Sequence, residues 1–431
     1  MKMAATLRGM RSRLDDLARY HPASQSVLCL ANLALARTKD AADPAWLERA
    51  CAAARCAPSP ERMRAIEQWT LRRLHRLPAE VLWGWQAAPQ PRVEVRKSAI
   101  LKVPSPGEKG VVFISFESQW EKLLALGSGR LEAFAADYDL VVAPTWSPPH
   151  SVTNLLFPRL FPGLLPCTIS NLADLGIFPR LHPSYRPVRL FASSWVNPDL
   201  YQPRPRVERD IDLLMVANFG RYKRHHVLFR ALGRMPSERR PKVVLVGQPH
   251  GDRTAEALLR EMDDHGVRDC ISLRSRISDA EVVDALCRSK AALITSLREG
   301  SCVAVVEAMM ADTPVGLLNG AHIGSAAFLN EQTGRWLDGD RLDEELATFI
   351  GESDRFSPRA WLVGNGIECR DSTRVLGDHL RALAHASGRP WTRGLFEHHW
   401  RPDPTLLSEA DAAIAAVARA ELEERLGLIL N

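Results

Sequence analysis

Long apolar runs are missing from this 431-residue chain. The longest stretch, Ser26 to Ala36, is about half of the ~20 residues that span a bilayer, so no transmembrane helix is expected. The N-terminus lacks an apolar core followed by a small-residue cleavage site, which argues against a secretory leader. Cysteine is scarce. Eight residues are scattered, and the nearest pair, Cys51 and Cys56, has no second pair or His cluster to complete a zinc site. Reduced thiols, no metal and a cytoplasmic location follow as expectations. An excess of one charge is also lacking: 56 Lys/Arg against 51 Asp/Glu give +5, too little for a dedicated nucleic-acid binder. With 46% hydrophobic and 25% charged residues, the composition excludes global disorder.

What charge there is sits at the front. Residues 1–90 contain 14 Lys/Arg and 8 Asp/Glu, so this fifth carries the net positive charge and the rest is near neutral. The segment reads as a basic helical extension. Met3, Leu7, Met10, Leu14 and Leu17 form one helical stripe, with Arg8, Arg11, Arg13 and Arg19 largely off it. Three readings stay open: the first is a helix packed on its own core, the second a basic amphipathic helix on the inner face of an anionic membrane. A helical module that docks a partner protein is the third.

After a Pro-rich linker, Gly110 to Phe116 and Leu140 to Ala143 read as buried parallel strands flanking a helical Trp120 to Tyr138. Pro148 to Pro205 resists assignment. From Asp210 the pattern is clean: strands at Asp212–Ala217, Pro241–Gly247, Cys270–Leu273, Ala291–Thr295 and Thr313–Leu318 alternate with helices, which predicts a doubly wound α/β domain. The expected division is 1–90 helical extension, 95–205 abbreviated Rossmann-like domain, 208–385 a second Rossmann-like domain, and 386–431 a C-terminal helical segment.

Ligands of such sheets sit at the carboxyl ends of strands, where loops meet helix N-termini. One loop there, Asn218 to His226, carries Arg221, Lys223 and Arg224, which suit a diphosphate. Another places Glu299 before a predicted helix and Glu307 within it. On a continuous helix the two would lie about two turns and 80° apart. Glu307 sits among Val303, Val305, Val306, Ala308 and Met309, and is costly there unless hydrogen-bonded. Either it meets a polyol such as ribose or it faces solvent.

Together the two loops resemble the retaining, nucleotide-sugar-dependent glycosyltransferases of family 4. The matching residues are Val216-Ala-Asn-Phe-Gly-Arg-Tyr-Lys223, Val244-Leu-Val-Gly247, Ser296-Leu-Arg-Glu-Gly300 through Glu307-Ala-Met309, and Thr313-Pro-Val315, in order over about 130 residues. The resemblance implies the GT-B fold: two Rossmann-like doubly wound domains facing a cleft, 95–205 for the acceptor and 208–385 for the donor, with the helical extension in front and the segment 386–431 crossing back to the N-terminal domain. It implies transfer of a sugar from a nucleotide diphosphate sugar to a hydroxyl of a glycan, a lipid-linked glycan or a small molecule, without a metal. Lys223 and Glu299 would be catalytic. Asn218, Arg221, Arg276, Gly300, Ser301, Cys302 and Glu307 would complete the donor pocket, with Lys223 on the diphosphate, Glu307 on the ribose and Glu299 on sugar hydroxyls. Glu117, Ser118 and His150 are the acceptor-side candidates. Three positions depart from the family pattern: Asn218 replaces an Arg, Ser301-Cys302 replaces Phe-Gly, and Asp312 replaces a Gly. A sugar-nucleotide epimerase and a non-catalytic scaffold are the rival readings.

Overall fold

The computed structural model describes residue 10 and residues 14–86, 88–400 and 403–431. Met3 and Leu7 of the first predicted stripe, and Arg8, Arg11 and Arg13 beside it, lie outside the described residues. The chain divides into two compact units. The first is Ala18–Trp195 with Cys369–Asn431; the second is Val196–Glu368 with the described residues up to Leu17.

The first unit is built on a five-stranded sheet in the order β2 (Ser98–Lys102), β3 (Gly110–Ser115), β4 (Tyr138–Ala143), β5 (Leu165–Cys167) and β6 (Tyr185–Pro187), preceded in the chain by β1 (Val93–Val95). β2 runs antiparallel to β3 and the rest are parallel. Side chains of a strand alternate between faces, and here both faces are buried. Val112, Ile114, Leu140 and Val142 enter one core, while Val111, Phe113, Val141 and Ala143 enter another.

The first of those cores corrects the expected division. Helices Pro22–Thr38, Ala45–Arg55, Pro60–His75 and Ala79–Gly84 are not a separate extension. Trp46, Leu47, Ala50, Leu74 and Leu82 share one cluster with Val112, Ile114 and Phe157 of the sheet unit. The second core corrects the far end. Helix Cys369–Ala386, expected in the donor domain, places Leu376 and Leu380 against Val111 and Phe113. The last helix, Glu409–Leu426, packs into the first core, and the strand Leu428–Leu430 pairs in parallel with β1. Gly427 links them at φ 65°; a Cβ on it would lie 2.0 Å from the Pro91 carbonyl, so only glycine fits.

The unassigned Pro148–Pro205 stretch holds two short helices, Val152–Leu160 and Asp174–Leu181. Each carries a proline near its end (Pro158, Pro179), which limits it to two or three turns and hides its periodicity.

The second unit is a six-stranded parallel sheet: β7 (Ile211–Val216), β8 (Val243–Gly247), β9 (Ile271–Ser275), β10 (Ser289–Ile294), β11 (Val315–Leu318) and β12 (Gly334–Leu337). Five strands follow the sequence reading; β12 was not expected. The spatial order is β9-β8-β7-β10-β11-β12. The order reverses between β7 and β10, and the crevice at the carboxyl ends of those two strands is the natural ligand position of a doubly wound sheet.

Candidate active site

The two loops singled out in the sequence are the ones that leave β7 and β10, so the topology brings them side by side. After β7 the chain turns through Asn218, whose Oδ1 accepts from Gly220 N–H at 3.0 Å and whose Nδ2 donates to the Tyr222 hydroxyl at 2.6 Å. Asn218 therefore shapes the loop; its recorded contacts are both local. Arg221 to Lys223 form one 3₁₀ turn, Arg224 takes a left-handed conformation (φ 56°), and helix His225–Arg234 begins. β8 can pass close to this loop because Gly247 has no side chain: a Cβ would lie 2.0 Å from the Ala217 carbonyl.

Thr295, at the end of β10, stitches the loops together. Its hydroxyl donates to the Lys223 carbonyl at 2.5 Å, and its own carbonyl accepts from Arg224 Nη1 at 3.1 Å. Lys223 is thereby aimed at Glu299, with Nζ 2.6 Å from both carboxylate oxygens. Ser296 donates to the same carboxylate at 2.5 Å. The pair is 13% and 10% exposed. Burial opposes the Lys223 charge, but the adjacent Cys302 sulfur and the Glu299 carboxylate together outweigh it and hold the ammonium above its usual range. The adjacent Cys302 thiol is pushed well up by burial and by Glu299, so at neutral pH it is protonated and leaves the charge balance to the pair.

Glu299 lies in a loop rather than one helical step from Glu307, which revises the two-turn, 80° expectation. Its N–H donates to the His322 carbonyl at 3.1 Å, and Gly324 and Ser325 N–H groups hold the carbonyls of Gly300 and Ser301. The helix starts only at Val303, because Cys302 is left-handed (φ 54°). Asp312 is left-handed too (φ 56°). Both are positions where the resemblance leads one to expect glycine, and the backbone keeps the glycine conformation although the residue has changed. Glu307, half-buried on that helix, accepts from the hydroxyl of the buried Tyr201 at 3.4 Å.

The other cations are shared out. Arg221 reaches Asp252 (3.2 Å) and Asp15 (3.9 Å). Arg224 and His226 both bind Asp16 at 3.0 Å, and these two contacts overcome burial to lower the Asp16 pKa. Arg276 is exposed after β9, with its N–H on the Gly247 carbonyl at 3.0 Å. Sequence reasoning missed Tyr201, Thr295, Ser296, Asp15 and Asp16. Ser296, three residues before Glu299, was the one legible in principle, as a local side-chain hydrogen bond.

His225, beside Lys223, is buried between Phe219 and Phe229, and neither ring nitrogen has a hydrogen-bond partner. Burial first, then Arg253 and Lys223, push its pKa down to about 3. A depressed histidine pKa means that its contribution to stability is whole above the ordinary value near 6.5. That contribution is lost progressively as pH falls toward 3. By about pH 4.5 the cost is about 3 kcal/mol. His225→Leu is expected to flatten this acid limb; melting curves near pH 7.5 and pH 4.5 that fall equally in both proteins would contradict it.

In the first unit the acceptor-side candidates separate. His150 is a correction: it is buried, with Nε2 3.2 Å from the buried Glu67 carboxylate, which also takes Arg180 at 2.9 Å. Helix Pro60–His75 covers it, so it belongs to the core. Glu117 accepts from the Thr145 hydroxyl at 2.7 Å, and burial raises its pKa. Ser118 is exposed.

Residues 198–350 match the family described as glycosyl transferases group 1. They contain all six strands of the second sheet and the Lys223–Glu299 pair. This segment belongs to the group 1 glycosyltransferases. The chain is similar to the MMP alpha-(1->4)-mannosyltransferase of Mycolicibacterium hassiacum, 32% identical over 190 residues, which are 44% of this chain and 42% of the relative. It thus spans about two fifths of that relative's length. Among solved structures it resembles sucrose-phosphate synthase of Thermosynechococcus elongatus (15% identity, TM-score 0.49, covering 64% of this chain and 74% of the other). It also resembles Anabaena HepE in complex with UDP-glucose (15% identity, TM-score 0.48, 63% and 78%).

Proposed function

We propose that the chain transfers a glycosyl group, with retention of anomeric configuration, from a nucleotide diphosphate sugar to an acceptor hydroxyl on a glycan, a lipid-linked glycan or a small molecule. The observation that carries this reading is the Lys223–Glu299 pair at the reversal point of a group 1 domain, with Glu307 on the helix that follows. A diphosphate entering the crevice draws the ammonium away from Glu299. Lys223, aided by Arg221, then stabilises the charge that develops on the leaving nucleoside diphosphate, and no metal is needed for that role. The freed Glu299 accepts from sugar hydroxyls. Glu307 accepts from the ribose, Gly300 to Cys302 line the sugar–phosphate pocket, and Arg276 lies toward the base.

A thermal-shift screen of UDP-, GDP- and ADP-sugars tests it. A bound donor at about 100 times its dissociation constant stabilises by ~2.7 kcal/mol, and Glu307→Ala is expected to remove the shift. A screen in which no donor stabilises, or one in which Glu307→Ala responds like wild type, defeats the proposal. Product that forms only with acceptor present separates transfer from epimerisation.

A further inference from the structure

Helix Pro22–Thr38 is apolar on two opposite sides. One side, Gln25, Cys29, Leu33 and Ala36, is buried in the fold. The other carries Val27 (65% exposed), Leu30 (57%), Leu35 (48%) and Leu28 (41%), with Ala31 and Ala34 between them. At 100° per residue these six positions sweep an outward arc of about 160°. No charged residue interrupts the helix before Arg37. A helix that is hydrophobic all round is ordinarily covered on both sides.

We propose that this outward face docks on the interface of an anionic phospholipid membrane, with the helix lying in the membrane plane. Three observations point to lipid. Three polar side chains on or beside the outward face donate to the helix's own backbone: Ser26 to the Pro22 carbonyl, Asn32 to Leu28 and Thr38 to Leu35, at 2.8 to 2.9 Å. A surface that meets hydrocarbon needs this internal pairing, whereas one that meets a protein would offer hydrogen bonds outward.

The second observation is the rim. Arg37 borders one long edge, and Arg49, bonded to Asn32 at 3.2 Å, marks the other. Lys39 and Arg73 stand at the C-terminal end, where Arg73 holds the Ala36 carbonyl, and Arg19 at the N-terminal end, where its carbonyl takes Gln25. Asp40 and Glu48 are the exposed acids nearby, and Asp43 is paired with Lys39. Residues 18–86 carry ten Lys/Arg against six Asp/Glu. Anionic headgroups complement such a rim, while a second copy would set cation against cation. Third, the helix is about 25 Å long, short of the ~30 Å hydrocarbon core. Among the described residues no helix is long and apolar enough to cross. Apolar face down and cations outward is the interfacial arrangement.

Sedimentation of the full chain with vesicles tests this. Wild type is expected to pellet with phosphatidylcholine vesicles containing phosphatidylglycerol, and much less with phosphatidylcholine alone or at high salt. V27E/L30E, altered only at exposed positions, is expected to bind about ten-fold or more weakly with an unchanged melting temperature. Equal binding to both vesicle types, or by both proteins, overturns the proposal. So does a wild-type dimer in ultracentrifugation that V27E/L30E dissolves, since the face would then be a protein interface.

Discussion

Lys223→Gln is expected to lower kcat/KM for sugar transfer by about 10²–10³-fold, the usual effect of removing one preorganised group that stabilises developing charge. Gln is the informative replacement. Lys223 is the close partner of Glu299 as well as the candidate diphosphate cation, and Ala would leave that carboxylate buried with the neutral Ser296 and Cys302 side chains as donors. Losing one partner of a buried ion pair costs about 3–5 kcal/mol, which would confuse misfolding with lost chemistry. Gln keeps a donor within reach of Glu299 and removes only the charge. Glu299→Gln should lose transfer to a comparable extent. The double variant should be no worse than either alone by more than a small factor, because contacting residues that act as a unit are not additive. Steady-state kinetics with matched melting curves decide. Wild-type turnover by Lys223→Gln would remove Lys223 from the reaction, and strict additivity would mean the two residues do not act together.

How much of this was legible depends on how local the determining interaction is. The second unit could be read almost strand by strand, because each parallel strand is a short apolar run and each helix has its own punctuation. Ser278 and Glu281, for example, form a reciprocal cap at the start of helix Asp279–Cys287, a signal local to four residues. The site was legible as two loops, and only strand order, which no local pattern encodes, sets those loops against each other. What was missed is longer in range. Tyr201 reaches Glu307, and Asp16 reaches Arg224 and His226, from more than 100 residues away. Glu299 was legible as lying before the helix, but the left-handed turn at Cys302 that sets its direction was not. His150 was misread for a related reason: the sequence shows it in a Pro-rich loop and gives no sign that Glu67 folds over it.

The front of the chain carries the second large effect. A chain shortened to begin near residue 95 is expected to lose cooperative folding of its first unit. Trp46 is fully buried, edge-on to Trp69 (5.9 Å) and Trp85 (6.4 Å), with Arg73 4.6 Å from its ring centre and its indole N–H on the Ala41 carbonyl at 2.9 Å. This aromatic group joins the cluster that holds Val112, Ile114 and Phe157. Deleting the helices therefore uncovers one face of the sheet and strips Arg180 and His150 of Glu67. Trp46→Ala alone should cost about 3–5 kcal/mol, a large part of the 5–15 kcal/mol that holds a typical domain together. The shortened chain should bind a hydrophobic dye and lack a sharp first-unit melting transition, and Trp46→Ala should melt many degrees early. A shortened chain that stays soluble and melts as sharply as the full one would mean that the helices only lean on the sheet. The basic front of this protein is, on its inner side, a wall of the core.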